Sequence, residues 1–117
     1  MDRSLRLVAL TAMFCFAQAA SAQNFPSKPL RMVVGFPPGG PNDITARVVS
    51  QKLGELLGEK VVIENRPGAA GNIGSELVAR APADGHTLLM GSAGPQAINL
   101  ALYPNLPFDM LRDLAPV

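Results

Sequence analysis

The sequence predicts an α/β domain built on an open parallel sheet with βαβ units, and three observations predict it. Apolar runs of strand length occur at Leu30 to Phe36, Val61 to Glu64 and Thr87 to Met90. They lack clean alternation, as expected of strands covered on both faces. Stretches with apolar residues at helical spacing follow each run, separated from it by a glycine-containing loop. Strands alternating with helices fold as right-handed crossovers onto one parallel sheet.

The elements follow in order. Asn24 to Pro29 is a polar, proline-containing lead into the first strand. Pro37-Pro38-Gly39-Gly40-Pro41 forms a loop, and from Asn42 the period changes. Ile44, Val48, Val49, Leu53, Leu56 and Leu57 fall on one helical face, with Arg47, Ser50, Gln51 and Glu55 opposite. Gly58 ends this helix as a C-terminal cap. Val61 to Glu64 is the second strand, Arg66 to Asn72 the second loop, and Ile73 to Ala81 a shorter helix. Pro82 to Gly85 is a turn. After the third strand, Gly91-Ser92-Ala93-Gly94 is the third loop and Pro95 to Tyr103 the third helix. Three prolines make Pro104 to Val117 irregular chain.

Arg3 and Arg6 precede the apolar run Leu7 to Ala17, and Ala20-Ser21-Ala22 supplies the small-x-small pattern of a signal peptidase site. A run of eleven residues is too short for a membrane span, which needs roughly 20. Residues 1–22 are therefore expected to be a cleavable signal peptide and 23–117 a single α/β lobe, with no stable membrane insertion. The only cysteine, Cys15, leaves with the signal, taking disulfides, thiolate nucleophiles and cysteine metal sites with it. The ten basic and nine acidic residues become eight of each once Arg3, Arg6 and Asp2 are removed. That balance gives no support for nucleic acid as a partner.

In a parallel sheet all three glycine loops lie at the carboxyl edge, where ligands of open α/β sheets bind. Gly40-Pro41 and Gly94-Pro95 each place a glycine at an N-cap and a proline at the first helical position. The N–H groups that follow have no partner inside the helix and carry a partial positive charge, which attracts an anion. A β-carbon at Gly39 or Gly40 would hold a ligand away from the backbone. Nucleotide motifs fail: Gly35 to Gly40 has P-loop spacing but is followed by Pro41-Asn42, and Gly68, Gly71 and Gly74 do not form the dinucleotide fingerprint. Ser92 is not centred in a nucleophile elbow. His86, the sole histidine, is expected to be a half-exposed structural residue. Asp43 can cap the first helix or contact a ligand, and Ser92 can close its own loop or donate its hydroxyl to a ligand. Arg47 and Arg80 fall on solvated helix faces, and Arg66 ties down its own loop.

Five motifs then occur in order: P-S-K-P-L-R, F-P-P-G-G-P-N-D-I-x-A-R, E-N-R-P-G-A-A-G-N-I-G, A-P-A-D-G-H-T-L-L-M-G-S and A-L-Y-P-N-L-P-F-D. On these motifs the stretch from Phe25 to Val117 resembles the N-terminal part of the Bug family, the extracytoplasmic receptors of tripartite tricarboxylate transporters. The resemblance implies the first lobe of a venus-flytrap, periplasmic-binding-protein-like fold, truncated, with the second lobe absent. It further implies a small organic acid ligand, membrane permease subunits as partners, a periplasmic location, and neither an enzymatic role nor a cofactor. Residues implied for ligand binding are Phe36, Pro38, Gly39, Gly40, Asn42 and Asp43, then Ser92 and Gly94, with Gly71 and Asn72 from the second loop. His86 stands where the family usually has an aromatic residue, and Ala70 where a glycine is common. The alternative reading is a non-binding remnant with at most a structural or interaction role.

The export reading has a direct check. The intact mass of the secreted product is expected to correspond to a chain starting at Gln23, and any other start refutes the site.

Overall fold

The computed structural model describes residues 24–117, so the expected signal peptide lies outside the described residues. The chain forms β1 (Leu30–Val34), α1 (Pro41–Leu57), β2 (Val61–Asn65), a 3₁₀ turn at Ala69–Gly71, α2 (Asn72–Ala79) and β3 (Thr87–Met90). A π-helical turn at Gly94–Ile98 then runs into α3 (Asn99–Leu102), and α4 (Met110–Asp113) follows. The three strands are parallel in the order β2-β1-β3. β1 is thus the central strand, and Leu30, Met32, Val33 and Val34 are buried. From β1 the first crossover leads to one side of the sheet, and the second returns past β1 to the other. Right-handed connections then require α1 and α2 on opposite faces. α1 covers the face carrying Met32, Val34, Ile63, Leu88 and Met90, while α2 packs on β1 and β3. Among the described residues no helix is long and apolar enough to cross a membrane.

The buried face of α1 differs from the one its apolar pattern predicts. Asp43, Ala46 and Ser50 are buried, whereas Ile44, Val48 and Leu56 are more than half exposed. Small residues and Leu53 face the sheet, and the large side chains of the strands fill most of the interface. Ser50 even places its hydroxyl 3.3 Å from the Met32 sulfur. Gly58 ends the helix in the left-handed region (φ 72°), with its N–H donating to the Gly54 carbonyl at 2.9 Å, as expected of a C-terminal glycine.

At the amino edge of the sheet, His86 fastens the lead segment. Its Nε2 accepts from the Ser27 N–H at 3.3 Å, and its Nδ1 lies 3.1 Å from the Asp84 carbonyl, an arrangement that suits the tautomer carrying its proton on Nδ1. Phe25 meets the ring edge-on at 4.9 Å between centroids. The structural role expected of His86 fits, but the residue is buried rather than half-exposed. On the sheet face opposite α1, Glu64 accepts from both Arg31 and Arg66, and these guanidiniums, Arg31 foremost, hold its carboxyl at about 2.

The chain after Pro104 contains one helical turn, α4, where irregular chain is expected. Asp109 caps it by accepting from the N–H groups of Leu111 and Arg112 at 3.0 and 3.1 Å. The flanking prolines conceal this cap, since they lie outside the turn it starts.

Gly74 lets α2 approach β1. A Cβ there would lie 2.9 Å from the Gly35 Cα and 3.3 Å from the Arg66 carbonyl oxygen, both backbone atoms that cannot rotate away. Helix propensity alone favours Gly74→Ala by about 1 kcal/mol, whereas overpacking costs about 1–3 kcal/mol. Gly74→Ala is therefore expected to lower stability in urea unfolding; a rise would show that α2 can retreat without loss.

Candidate binding edge

The loops that follow the three strands meet at the carboxyl edge, and β1 and β3 lie side by side there. In doubly wound sheets ligands settle in the crevice outside such strand ends.

The first loop is held from within. Gly39 takes a left-handed φ of 83° and donates its N–H to Asp43 Oδ2 at 2.9 Å. Gly40 is the N-cap of α1 in extended conformation, its carbonyl accepting from the Ile44 N–H at 3.0 Å, and Pro41 starts the helix. That start matches the Gly-Pro device expected from the sequence. The N–H groups of Asn42 and Asp43 then belong to the first turn, where no intrahelical acceptor exists, and the helix dipole makes this end positive. Pro38 and Gly39 are exposed, while Gly40 and Asn42 are half-buried.

Asp43 is buried, with 2% of its surface exposed. Besides Gly39, it accepts from Arg47 Nε at 2.9 Å and Nη2 at 3.2 Å, and from Asn65 Nδ2 at 2.9 Å. The Arg47 guanidinium first, then the Gly39 N–H and the Asn65 amide, hold its carboxyl well below the usual carboxylate range. Asp43 thus ties the loop to the helix that follows it. Arg47 remains half-exposed, but it is paired rather than merely solvated.

The second loop contains Ala69 and Ala70 at φ 47° and 54°, both left-handed. A glycine would take that conformation without the Cβ penalty. Gly71 is buried where the three loops touch: a Cβ on it would lie 2.7 Å from Pro95 Cγ and 3.2 Å from Phe36 Cζ. Asn72, also buried, accepts from Asn99 Nδ2 at 2.8 Å, and the same amide donates to the Ala70 carbonyl at 3.1 Å.

The third loop departs from expectation. Gly94 is not an N-cap; Ala93 precedes it in helical conformation, and the turn from Gly94 is π-helical. Gln96 explains the difference. Its side-chain carbonyl accepts the Ser92 N–H, and its amide donates to Ser75 Oγ at 3.0 Å, which in turn donates to the Gly71 carbonyl at 3.1 Å. The first turn is drawn onto the second loop instead of opening outward. Ser92 and Gly94 are half-buried at this edge.

The ten residues singled out from the sequence therefore fall into two groups. Pro38, Gly39, Gly40, Asn42, Ser92 and Gly94 reach the surface of the edge. Phe36, Asp43, Gly71 and Asn72 lie in the contacts that hold the loops together. Sequence reading missed Asn65, Ser75, Gln96 and Asn99, the polar side chains that join one loop to another. Their only signal is a polar residue at a strand end or inside an apolar helical stretch. Among the described residues every buried side-chain nitrogen and oxygen has a partner.

Asp43 makes a prediction about acid stability. Its folded pKa lies below the unfolded value near about 3.9, so its contribution is complete above that pH and drains away as pH falls toward the folded value. Asp43→Asn lacks this ionised acceptor. The variant is expected to melt below the parent chain at pH 7, and the gap to narrow in thermal melts taken toward pH 2. A gap independent of pH would exclude the carboxylate as its source.

Comparison with known proteins agrees with this architecture. Residues 45–117 match the family described as Tripartite tricarboxylate transporter family receptor. Protein BugT of Bordetella pertussis is 44% identical over 117 residues, an alignment that covers 96% of this chain and 36% of that protein. Among solved structures, MatC from Rhodopseudomonas palustris with bound malate superposes with a TM-score of 0.76 at 39% identity, over 80% of this chain and 32% of that one. A second R. palustris protein, solved with adipate, gives 0.71 at 38% identity, over 74% and 29%. The chain spans about a third of the length of these relatives. It belongs to the tripartite tricarboxylate transporter receptor family, a family of receptors rather than enzymes.

Proposed function

We propose that this chain is the N-terminal lobe of an exported periplasmic receptor that captures a small carboxylate for the permease subunits of a tripartite tricarboxylate transporter. The observation that carries the reading is the start of α1. There the Gly39-Gly40-Pro41 loop leaves backbone N–H groups at a positive helix end, on the same edge as Ser92 and Gly94. The relatives solved with malate and with adipate support carboxylate as the ligand class.

In this reading a ligand carboxylate sits against the first turn of α1, accepting from the Asn42 and Asp43 N–H groups. The Asp43 side chain does not compete with it, because its carboxylate is turned onto Gly39, Arg47 and Asn65. Gly40 supplies the space. The Ser92 hydroxyl adds a donor from the third loop. One lobe alone leaves the opposite face of the ligand in water, where hydration competes with each hydrogen bond. Micromolar affinity is therefore expected only when a second lobe closes over the edge.

Gly40→Val tests the site. A Cβ at Gly40 meets nothing closer than the Pro37 carbonyl oxygen at 3.5 Å, and its φ of −79° suits any residue. The variant is thus expected to fold normally while its methyl groups fill the anion's place. In a graft of this chain onto the remainder of MatC, Gly40→Val is expected to abolish calorimetric malate binding without lowering the melting temperature. Normal affinity would remove the first loop from the site.

A further inference from the structure

We propose that Asn65 is the positioning residue of the first loop: its side-chain amide, reaching from the end of β2, sets the direction in which the start of α1 points. The proposal rests on the carboxylate reading above. Asn65 Nδ2 donates at once to the Phe36 carbonyl at 3.1 Å and to Asp43 Oδ1 at 2.9 Å. Those two acceptors stand at the two ends of the first loop, where it leaves β1 and where it enters α1. A single NH₂ group has two hydrogens in a fixed plane, so satisfying both fixes the separation of the loop's ends and the rotation of its first helical turn. β2 in turn is held by the register Val34↔Asn65, and the neighbouring Arg66 N–H donates to the Val34 carbonyl at 2.8 Å. The aim of the helix start is thereby referred to the sheet itself.

Without this amide the remaining hydrogen bonds of the loop and first helical turn act only within that segment, and the nearest hydrogen bond to the sheet is Ser50 to Met32, two turns further along α1. Gly39 to Asp43 and Arg47 to Asp43 both span four residues, so they stiffen the segment but do not orient it. A ligand held by backbone N–H groups depends on their direction, since hydrogen bonds weaken steeply off line. Asn65 would therefore govern affinity with no contact to the ligand.

Two variants separate positioning from bulk stability. Asn65→Leu keeps approximate shape and removes the donors. Asn65→Asp turns an acceptor toward the Phe36 carbonyl and the Asp43 carboxylate at neutral pH, and regains a donor only when protonated. The charged groups facing this point are Asp43 and, behind it, Arg47; Glu64, Arg31 and Arg66 interact across the other face of the sheet. Asp43 stays ionised beside Arg47, so the substituted carboxyl is the one that takes up the proton.

Two measurements are made beside the melting temperature. The Gly39 amide resonance is followed by NMR in the ligand-free chain, and the dissociation constant for malate is measured in the MatC graft, each as a ratio to the parent at the same pH so that malate's own titration cancels. Asn65→Leu is expected to weaken malate about tenfold at every pH. Asn65→Asp is expected to weaken it at least as much at pH 7.5 and to recover part of the loss as the pH falls toward about 5, because the protonated carboxyl returns one of the two donors, with the Gly39 resonance following the same curve. A ratio near one for both variants overturns the proposal. So does a lowered melting temperature with an unmoved Gly39 resonance, which is the signature of a merely structural asparagine. Should the Gly39 resonance titrate while Gly40→Val still binds malate normally, the carboxylate reading fails, and Asn65 with it as a binding determinant. An unmoved Gly39 resonance with binding lost in Gly40→Val defeats Asn65 alone.

Discussion

Backbone contact among glycines at the carboxyl edge is the constraint on which the rest of the structure depends. A Cβ at Gly35 would lie 3.0 Å from the Gly71 carbonyl, one at Gly74 would lie 2.9 Å from the Gly35 Cα, and one at Gly71 would collide with Pro95. With side chains at these positions the second loop and α2 would stand away from β1, and the third loop from both. Every later feature assumes that they do not. The Asn72–Asn99 and Gln96–Ser75 hydrogen bonds can span neighbouring loops only because the main chains already touch.

A division of labour follows from that closeness. Buried polar groups cost free energy unless paired, and here they are paired: Asp43 with Gly39, Arg47 and Asn65, Asn72 with Asn99, and Ser75 with Gln96 and the Gly71 carbonyl. They make the loops rigid and leave the backbone of the first helical turn as the accessible chemistry. In the proposed site a carboxylate would be recognised by direction and partial charge rather than by a cationic side chain, at no cost in desolvating an arginine or lysine. The same economy leaves selectivity to whatever faces this edge, because N–H groups at a helix end distinguish one carboxylate poorly from another.

The outer surface of α1 shows the converse. Ile44, Val48 and Leu56 are exposed although they form an amphipathic stripe, while Ser50 and Ala46 are buried. Periodicity reports which residues share a face, not which face meets the sheet. Here the large side chains on β1, β2 and β3 occupy most of the interface, and the helix contributes Ala46, Ser50 and Leu53 to it.

The alternation of strand and helix, the three glycine loops, the Gly40-Pro41 helix start and the Gly58 stop were legible in the sequence because each is a local rule: φ, ψ and hydrogen-bond needs of a few consecutive residues decide them. The placement of the candidate residues at one edge was legible too, since parallel topology sends every strand-to-helix loop there. Other outcomes lay beyond any local rule. That Asp43 turns inward onto Gly39 and Asn65, that Gln96 draws the third loop into a π-helical turn, and that Asn65 and Asn99 become anchors all depend on partners 21 to 29 residues away or on which loop packs beside which. Such pairings are chosen by burial. A polar side chain finds its partner among the groups that the closed fold brings within reach, and only the tertiary structure decides which groups those are.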